Sequence, residues 1–294
     1  MVRVALRILA VAMALGLLAG FAGGVHPLGD SFAVLRLPLA LGLALVLLGV
    51  GGRLWSRGLL ILAALLPAVG VWAGNSAISA PSPHDRVLYQ QNLLWNRRDD
   101  AAWLANVAAT QPDFVTLQEV SSRNATLLEA LRTDYPHQAL CPFANVVGGV
   151  AVLSRWPGGD GGIVCAKGLA AMEVSTPQGD LWLVSIHLHW PWPFDQADQV
   201  DELVEVLAGL DGPVIIGGDF NAVRWSNAIR RIAAASEARV AGPQGATFRL
   251  PYLGVPIGID HVLSSSLSAG EVIPVAPLGS DHNGVVAYLR YDDL

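Results

Sequence analysis

Charged residues are scarce in this chain of 294 residues, at 14% of the total, whereas hydrophobic residues make up 53%. Lys and Arg nowhere form a run, which argues against a surface that follows a nucleic-acid backbone. The two cysteines, Cys141 and Cys165, are not spaced as Cys-x-x-Cys, which argues against a thiolate zinc site. Whether they form a disulfide stays open at this stage.

The apolar excess lies before residue 75. Three stretches there, at 4–22, 32–50 and 58–74, are 17 to 19 residues long and contain at most one Arg each. Helices of this length cross a hydrocarbon core of ~30 Å. The pattern therefore predicts three transmembrane helices, although a cleaved signal peptide would explain the first stretch alone.

Basic residues predict the orientation of these helices. Arg3 and Arg7 flank the first stretch, and Arg53 and Arg57 separate the second from the third, whereas the loop at 23–31 has no Lys or Arg. The positive-inside rule places the N-terminus in the cytoplasm and, after three crossings, the C-terminal part outside. We expect a multi-pass protein of the inner (plasma) membrane with a periplasmic or extracellular domain.

The composition predicts a membrane domain at 1–75, a Ser/Pro/Ala linker at 76–84 and a catalytic domain at 85–294. A linker of this length reaches at most ~30 Å, so the C-terminal domain stays near the bilayer. From residue 76 onward the chain has 13 of the 18 basic and 23 of the 24 acidic residues, a net charge of −10. Nucleic acid is therefore a possible partner but not the favoured one.

The most informative stretch is 214–221, in which an apolar run ends in two glycines and then presents Asp219 and Asn221. Side chains alternate along a strand, so these two are expected to point the same way. Four other strand-like segments also end in acidic or imidazole groups, and α/β folds collect active-site residues at strand ends. These groups are Glu119, His187 with His189, Asp260, and Asp281 with His282.

Together these segments resemble the endonuclease/exonuclease/phosphatase superfamily, which has the deoxyribonuclease I-like fold. The matching motifs are Gln90-Gln91-Asn92, Leu117-Gln118-Glu119, Ser185-Ile186-His187-Leu188, Gly218-Asp219-Phe220-Asn221, Ile259-Asp260-His261, Ser280-Asp281-His282 and the strand Gly149–Arg155. The resemblance covers residues 87–289 and implies an α/β sandwich of two mixed β-sheets flanked by helices. Leu94 stands where apurinic-type nucleases carry an Asp, so the number of metal ions stays open.

The resemblance implies a hydrolase of phosphate ester bonds. Glu119 is expected to be the principal ligand of Mg²⁺ (or of Mn²⁺ or Ca²⁺), helped by Asn92 through its amide oxygen and by Asp281. His282 is expected to activate water, with its imidazole oriented by Asp260. A neutral imidazole near its ordinary pKa of ~6.5 suits a base.

The remaining polar residues have supporting roles in this interpretation. Asp219 is expected to orient the nucleophile, Asn221 to bind the phosphate, and His187 to protonate the leaving oxygen or stabilise the transition state. His189 has no counterpart in the resemblance, and His261 is expected to be structural.

The stretch 190–194 alternates Trp and Pro and follows the His187 strand. Trp190 and Trp192 are expected to bind an apolar part of the substrate or to enter the headgroup region, and the alternative is a packed loop that covers the sheet edge. The stretch 251–256, before Asp260, is a second candidate specificity loop.

These observations predict a membrane-anchored, metal-dependent phosphodiesterase or phosphomonoesterase that faces the exterior. Its expected substrate is a phosphoester associated with the membrane, such as a lipid-linked one. The first alternative is an endonuclease or exonuclease that acts on nucleic acid. The second is a non-catalytic membrane sensor on the same fold. The sequence disfavours that sensor because a degenerate site usually loses a ligand, and here the core motif positions are filled.

Overall fold

The computed structural model describes residues 1–50, 58–66, 85–97, 100–143, 147–242, 245–252 and 254–291. In the N-terminal part, the helices are α1 (Val2–Ala19), α2 (Leu28–Ala33), α3 (Arg36–Gly49) and α4 (58–66). α1 and α3 pack antiparallel, with Gly16 facing Leu39 and Gly42 facing Met13. Their shared core is built from small and aliphatic side chains of α1, α3 and α4.

The expected count of three transmembrane helices is corrected by the structure. Within the described residues, α1 alone is long and apolar enough to cross a membrane. The second predicted stretch is broken, because α2 ends at Ala33 and α3 has only 14 residues. At this break Trp225 Nε1 donates a hydrogen bond to the Ala33 carbonyl, which connects the break to the rest of the protein. The third stretch is helical over 58–66, and residues 67–74 lie outside the described residues.

The rest of the chain forms strands and helices that alternate along the sequence. The strands are β1 (Arg86–Asn92), β2 (Phe114–Val120), β3 (His137–Cys141), β4 (Gly149–Ser154), β5 (Gly158–Ala166), β6 (Leu169–Thr176), β7 (Gly179–His187), β8 (Val214–Asp219), β9 (Arg239–Val240), β10 (Phe248–Arg249), β11 (Pro256–Ile257), β12 (Asp260–Ser264), β13 (Leu267–Val275) and β14 (Gly284–Tyr291). The helices are α5 (Ala101–Thr110), α6 (Thr126–Ala130), α7 (Gln196–Ala208) and α8 (Asn227–Ala235).

Twelve of these strands form two six-stranded mixed sheets, in the orders β13-β14-β1-β2-β4-β3 and β5-β6-β7-β8-β12-β9. β10 and β11 form a separate hairpin. The inner faces of the sheets share one apolar cluster, which includes Leu88, Phe114 and Val152 from the first sheet and Leu183 and Ile215 from the second. The predicted α/β sandwich of two mixed β-sheets is confirmed.

Helices cover both outer faces because each presents one apolar stripe to a sheet. In α7, Val200, Leu203 and Leu207 recur at helical spacing and are buried against the second sheet with residues of α8. In α5, Trp103 and Val107 are buried in the same way against the first sheet. The result is a four-layer domain whose strand ends are left open at the edge between the helices.

The connection between α1 and α3 packs on this sandwich. Asp30, which is buried, accepts hydrogen bonds from the backbone N–H groups of Asn227 (2.7 Å) and Ala228 (2.9 Å) at the start of α8. Ser31 Oγ donates to the carbonyl of Trp192 at 2.6 Å. A carboxylate at a helix N-terminus is stabilised by the N–H groups that have no partner within the helix. The N-terminal helices are thus attached to the sandwich by specific polar contacts.

Candidate active site

Strand pairing brings the predicted polar residues to one edge of the sandwich. Asp219, the last residue of β8, is paired with His187 of parallel β7 and with Asp260 of antiparallel β12. In the other sheet, Asn92 ends β1, which runs parallel to β2. Gly217 and Gly218 permit this approach, because a side chain at either position would meet Thr116 of the facing sheet or the Ile186 carbonyl.

Near this edge, three residues other than glycine have left-handed backbone conformations. Leu94, Glu119 and Asn221 have φ of 64°, 57° and 46°. At Glu119 the pairing of β2 with β4 also shifts register, between Leu117 and Val120. Such conformations cost energy and are concentrated at functional sites, where the surroundings hold them in place.

A chain of hydrogen bonds orients the His282 imidazole. Its Nδ1 lies 2.9 Å from Asp260 Oδ2, and the other oxygen of Asp260 accepts from Gln90 Nε2 at 3.1 Å. Gln90 also donates to Gln118 Oε1 at 2.8 Å, and Gln118 in turn donates to Ser185 Oγ. All five side chains are buried. The network fixes the ring so that Nε2 points away from Asp260.

Asp219 lies between two imidazoles. Its Oδ2 is 3.6 Å from His187 Nε2 and 3.7 Å from His282 Nε2. His187 Nδ1 is buried and has no hydrogen-bond partner among the described residues, so the two rings are held differently. Both Nε2 atoms and the carboxylate face one small space.

The buried charges shift the pKa values of His282 and Asp219. Burial alone would lower the pKa of His282, but the nearby carboxylates of Asp260 and Asp219 outweigh it and raise that pKa to about 10. Burial also raises the pKa of Asp219, against the opposing effect of His282. The pKa of His282 is therefore raised above the ordinary imidazole value of ~6.5, because the attraction of the two carboxylates outweighs the effect of burial.

Asn92 links the carboxylates of Glu119 and Asp219. Its Nδ2 donates to Glu119 Oε1 at 3.1 Å and to Asp219 Oδ2 at 2.9 Å, whereas its Oδ1 accepts from the Leu94 N–H. Glu119 Oε2 accepts from the Trp95 N–H. In this arrangement Asn92 Nδ2 positions the carboxylate of Glu119, and Oδ1, the atom expected to bind the metal, accepts from the Leu94 N–H.

These groups line a pocket of about 310 Å³. Of the sequence-predicted site residues, the lining includes Glu119, His187, Trp190, Asp219, Asn221, Asp281 and His282. Asp260 is buried behind His282. Asn221 Nδ2 donates to the Leu188 carbonyl at 2.8 Å, so one of its amide hydrogens is committed to the protein.

The two tryptophans of the predicted loop have different positions. Trp190 lines the pocket and packs on Phe248 at 5.7 Å between ring centroids. Trp192 is 48% exposed and borders a different cavity, with Asp30 and other residues of the α1–α3 connection. Alternation along the loop separates the two rings, so of these two tryptophans Trp190 alone lines the pocket.

Several lining residues were not predicted from the sequence. Phe143 stacks near His187 and His189, with ring centroids 6.1 and 5.3 Å apart, and Phe248 lies 4.7 Å from the His282 ring. Val147 and Phe194 complete the apolar side of the pocket. Phe143 and Phe248 lie in segments without a recognisable motif, so only tertiary contacts identify them.

His261 and His189 differ in environment. His261 Nε2 lies 2.8 Å from the Ala222 carbonyl, and burial lowers the pKa of its imidazole to about 4. It is therefore a neutral, buried ring, as a structural role requires. His189 lines the pocket, and burial, followed by the charge of Lys167, lowers its pKa.

Cys141 and Cys165 form a disulfide. Cys141 ends β3 at the edge of the first sheet, and Cys165 lies in β5 at the edge of the second. The bond therefore joins the two sheets. Phe143, two residues after Cys141, contacts both pocket histidines: His187 at the end of β7 and His189 just after it.

Comparison with known proteins identifies the family. The sequence profile of the Endonuclease/Exonuclease/phosphatase family matches residues 89–282, more than half of the chain. This protein therefore belongs to that family, whose members are metal-dependent phosphoester hydrolases. No curated protein matches the chain by sequence.

Solved structures show the same fold. The catalytic domain of human Nocturnin with bound sulfate superimposes with a TM-score of 0.55 and 17% identity, over 72% of this chain and 97% of that chain. TDP2 of D. rerio in complex with a single-strand DNA product gives a TM-score of 0.57 and 15% identity, over 70% and 99%. Beta toxin from Staphylococcus aureus with bound magnesium ions gives 0.50 and 16%, over 69% and 99%.

The donor set fits the divalent ion that this family uses. Glu119, Asp219 and Asp281 line one pocket, and its described lining contains no Lys or Arg to balance them. Oxygen donors are those preferred by Mg²⁺, Mn²⁺ and Ca²⁺. Among the described residues, Asp219, Asp260 and His282 also have potential ligand atoms within 4.8 Å of one another. Within that group, Asp260 and His282 are already hydrogen-bonded to each other.

Proposed function

We propose that this protein is a divalent-metal-dependent phosphoesterase, held at a membrane by its N-terminal helices, that hydrolyses a membrane-associated phosphoester. The observation that carries the proposal is the placement of His187 and His282 on either side of Asp219, with Asp260 behind His282 and Glu119 within the same pocket. A phosphate that enters this space meets two imidazole nitrogens and a carboxylate.

Glu119 and Asp281 would hold the metal, with Asn92 positioning Glu119. When bound, a divalent cation neutralises a phosphate oxygen and stabilises the charge that develops in the transition state. Asp281 is exposed at the pocket, where its carboxylate can approach an ion together with its water ligands.

The proton transfers are assigned to side chains in the pocket. Asp219, whose carboxylate pKa is raised by burial, orients the attacking water and accepts its proton. His282, which is oriented by Asp260 and has a raised pKa, donates from Nε2 to a phosphate oxygen. His187 donates to the leaving oxygen or stabilises it, and Asn221 binds a second phosphate oxygen.

The N-terminal helices support placement at a membrane. α1 has the length and apolarity of a spanning helix, and many of its Leu, Ile and Val side chains are exposed to the surroundings. Arg3 and Arg7 lie at the end of α1 opposite the connection that packs on the sandwich. By the positive-inside rule, this arrangement favours a catalytic domain on the extracytoplasmic side. A disulfide also suits an oxidising compartment.

Alkaline phosphatase fused after Leu294 tests this orientation. We expect an exported, active reporter. A fluorescent protein that is bright only in the cytoplasm when fused at the same end would contradict it.

The pocket favours a phosphoester with an apolar neighbour over duplex nucleic acid. Phe143, Trp190, Phe194 and Phe248 form its apolar side, and no Lys or Arg is among its described lining residues. Nucleic-acid binding depends on phosphate contacts from such basic groups. A nuclease remains the second candidate because the fold neighbours include TDP2 with a DNA product.

The test uses the full chain in detergent with bis(p-nitrophenyl) phosphate, p-nitrophenyl phosphate, a phospholipid and plasmid DNA. We expect hydrolysis of a phosphoester that needs Mg²⁺ and stops with a chelator. Glu119→Gln should abolish the metal dependence together with most of the turnover, whereas the exposed Glu129→Gln serves as a matched control. Full activity in excess chelator would overturn the proposal. Nicking of DNA without hydrolysis of phospholipid would favour the nuclease instead.

A further inference from the structure

A second, apolar cavity lies beside the active site. It is a groove of about 300 Å³ between α3 and the β10–β11 hairpin. Val34, Leu37 and Leu41 line one side, and Trp225, Val255 and Ile257 line the other. None of its described lining residues is charged. An apolar chain therefore fits this groove, whereas a phosphate or another ion does not.

The hairpin separates this groove from the catalytic pocket. Phe248 of β10 is paired with Ile257 of β11. Phe248 contacts the His282 ring and lines the pocket, whereas Ile257 lines the groove. Paired strands lie only ~5 Å apart, so one small element forms a wall of both cavities. A molecule with a phosphate and an apolar chain can therefore reach both.

An apolar surface of α3 extends beyond the groove. Leu37 and Leu41 are partly exposed in the groove, at 38% and 47%, and Leu45 and Leu48 follow on the same helix at 69% and 61%. Residues three and four apart lie on one face of a helix, so these leucines form one continuous track. The track leads from the catalytic domain along the helix that packs on α1, the candidate membrane helix.

From this arrangement we infer that the groove between α3 and the β10–β11 hairpin binds an acyl chain of a lipid phosphoester while its phosphate lies at His187 and His282. The inference rests on the proposed phosphoesterase function and specifies its substrate class. The N-terminal helices then have two roles. They hold the protein at the membrane, and α3 supplies one wall of the lipid-binding site.

The test measures chain-length dependence in the full-length protein. The substrates are monoacyl glycerophosphodiesters with butanoyl, octanoyl and dodecanoyl chains, each used below its critical micelle concentration. One buried methylene changes binding by about fourfold, so we expect kcat/KM to rise roughly tenfold or more from butanoyl to octanoyl. Equal kcat/KM for all three substrates would overturn the inference and leave the phosphoesterase proposal intact.

Two substitutions on the same helix face localise the effect. Leu41→Trp fills the groove and should lower the ratio of kcat/KM for dodecanoyl to kcat/KM for butanoyl by about tenfold. Leu45→Trp is the matched control, because Leu45 is exposed on the same track but does not line the groove. If both variants behave like the unmodified protein, the groove does not bind the chain.

Photo-crosslinking gives a readout that does not depend on hydrolysis. A dodecanoyl phosphodiester with a diazirine at the chain end should label peptides from 34–41 or 245–258, and Leu41→Trp should reduce that labelling. Labelling confined to other parts of the chain would overturn the inference. Loss of all hydrolysis with bis(p-nitrophenyl) phosphate would instead refute the proposed function.

Discussion

The N-terminal helices and the catalytic edge of the β-sandwich are held together by different kinds of contact. At the catalytic edge, polar side chains are buried together and oriented by hydrogen bonds, as in the series from Ser185 through Gln118 and Gln90 to Asp260. The core of the helices instead consists of buried Ala and Leu, and Leu15, Leu45 and Leu48 are more than 60% exposed.

This difference determines what each region can do. A buried polar network requires one specific partner for each group, so it can hold a catalytic geometry. An apolar helix pair is compatible with many arrangements and suits an environment of lipid. Asp30, the only acidic residue in the first 84 residues, lies where the two regions meet and connects them through α8.

The largest effect is expected from breaking the polar network. Asp260→Ala removes the carboxylate that holds His282, and we expect turnover to fall by about 10²–10⁴ with the fold retained. Measured kcat and circular dichroism spectra check this outcome. His137→Ala, a histidine on the edge strand β3, is the control. Near-normal turnover in Asp260→Ala would show that the network does not support catalysis.

The same network predicts a pH dependence of the free energy of unfolding. The pKa of His282 is raised from 6.5 to about 10 in the folded protein, so its protonation stabilises the fold fully below pH ~6.5. This stabilisation is lost as the pH rises through about 10. Denaturant unfolding in chelator should show the free energy of unfolding decreasing across this window, and His282→Gln should flatten it. An equal slope in both proteins would contradict the assigned charge.

Removal of the disulfide tests the sandwich independently of its polar edge. Cys141→Ala with Cys165→Ala should lower the free energy of unfolding by about 3 kcal/mol, because the bond restricts the unfolded chain. Thiol titration of the denatured, unreduced protein should find no free thiol. Two free thiols would show that the sheets are not joined in this way.

The contact between the two regions should have the smallest effect. Asp30→Ala removes the carboxylate at the start of α8 and should cost about 1 kcal/mol. Hydrogen exchange should increase both in α2 and at the amides of Asn227 and Ala228. Ser226→Ala is the matched control, because Ser226 caps α8 from within the same segment through the Ile229 N–H. In Ser226→Ala, hydrogen exchange should increase in α8 alone. Identical exchange profiles in the two variants would mean that Asp30 does not join the regions.

Prediction from sequence succeeded where a local pattern carries the information. The spacing of apolar residues at 101–109 and 196–210 is typical of helices, and the structure has helices at Ala101–Thr110 and Gln196–Ala208. It was less successful in the N-terminal region. There, apolar composition does not reveal that Trp225 binds the Ala33 carbonyl where the second stretch is broken.

The sequence by itself determined that acidic, amide and imidazole groups end several strands, because alternation and turn residues are properties of neighbouring positions. Only the tertiary structure decided that the pKa of His282 is raised, since that pKa depends on Asp219 and Asp260, which are distant in sequence and adjacent in space. It also placed Trp190 in the pocket and Trp192 beside Asp30. Pocket membership and pKa depend on through-space distances, which a local sequence pattern does not contain.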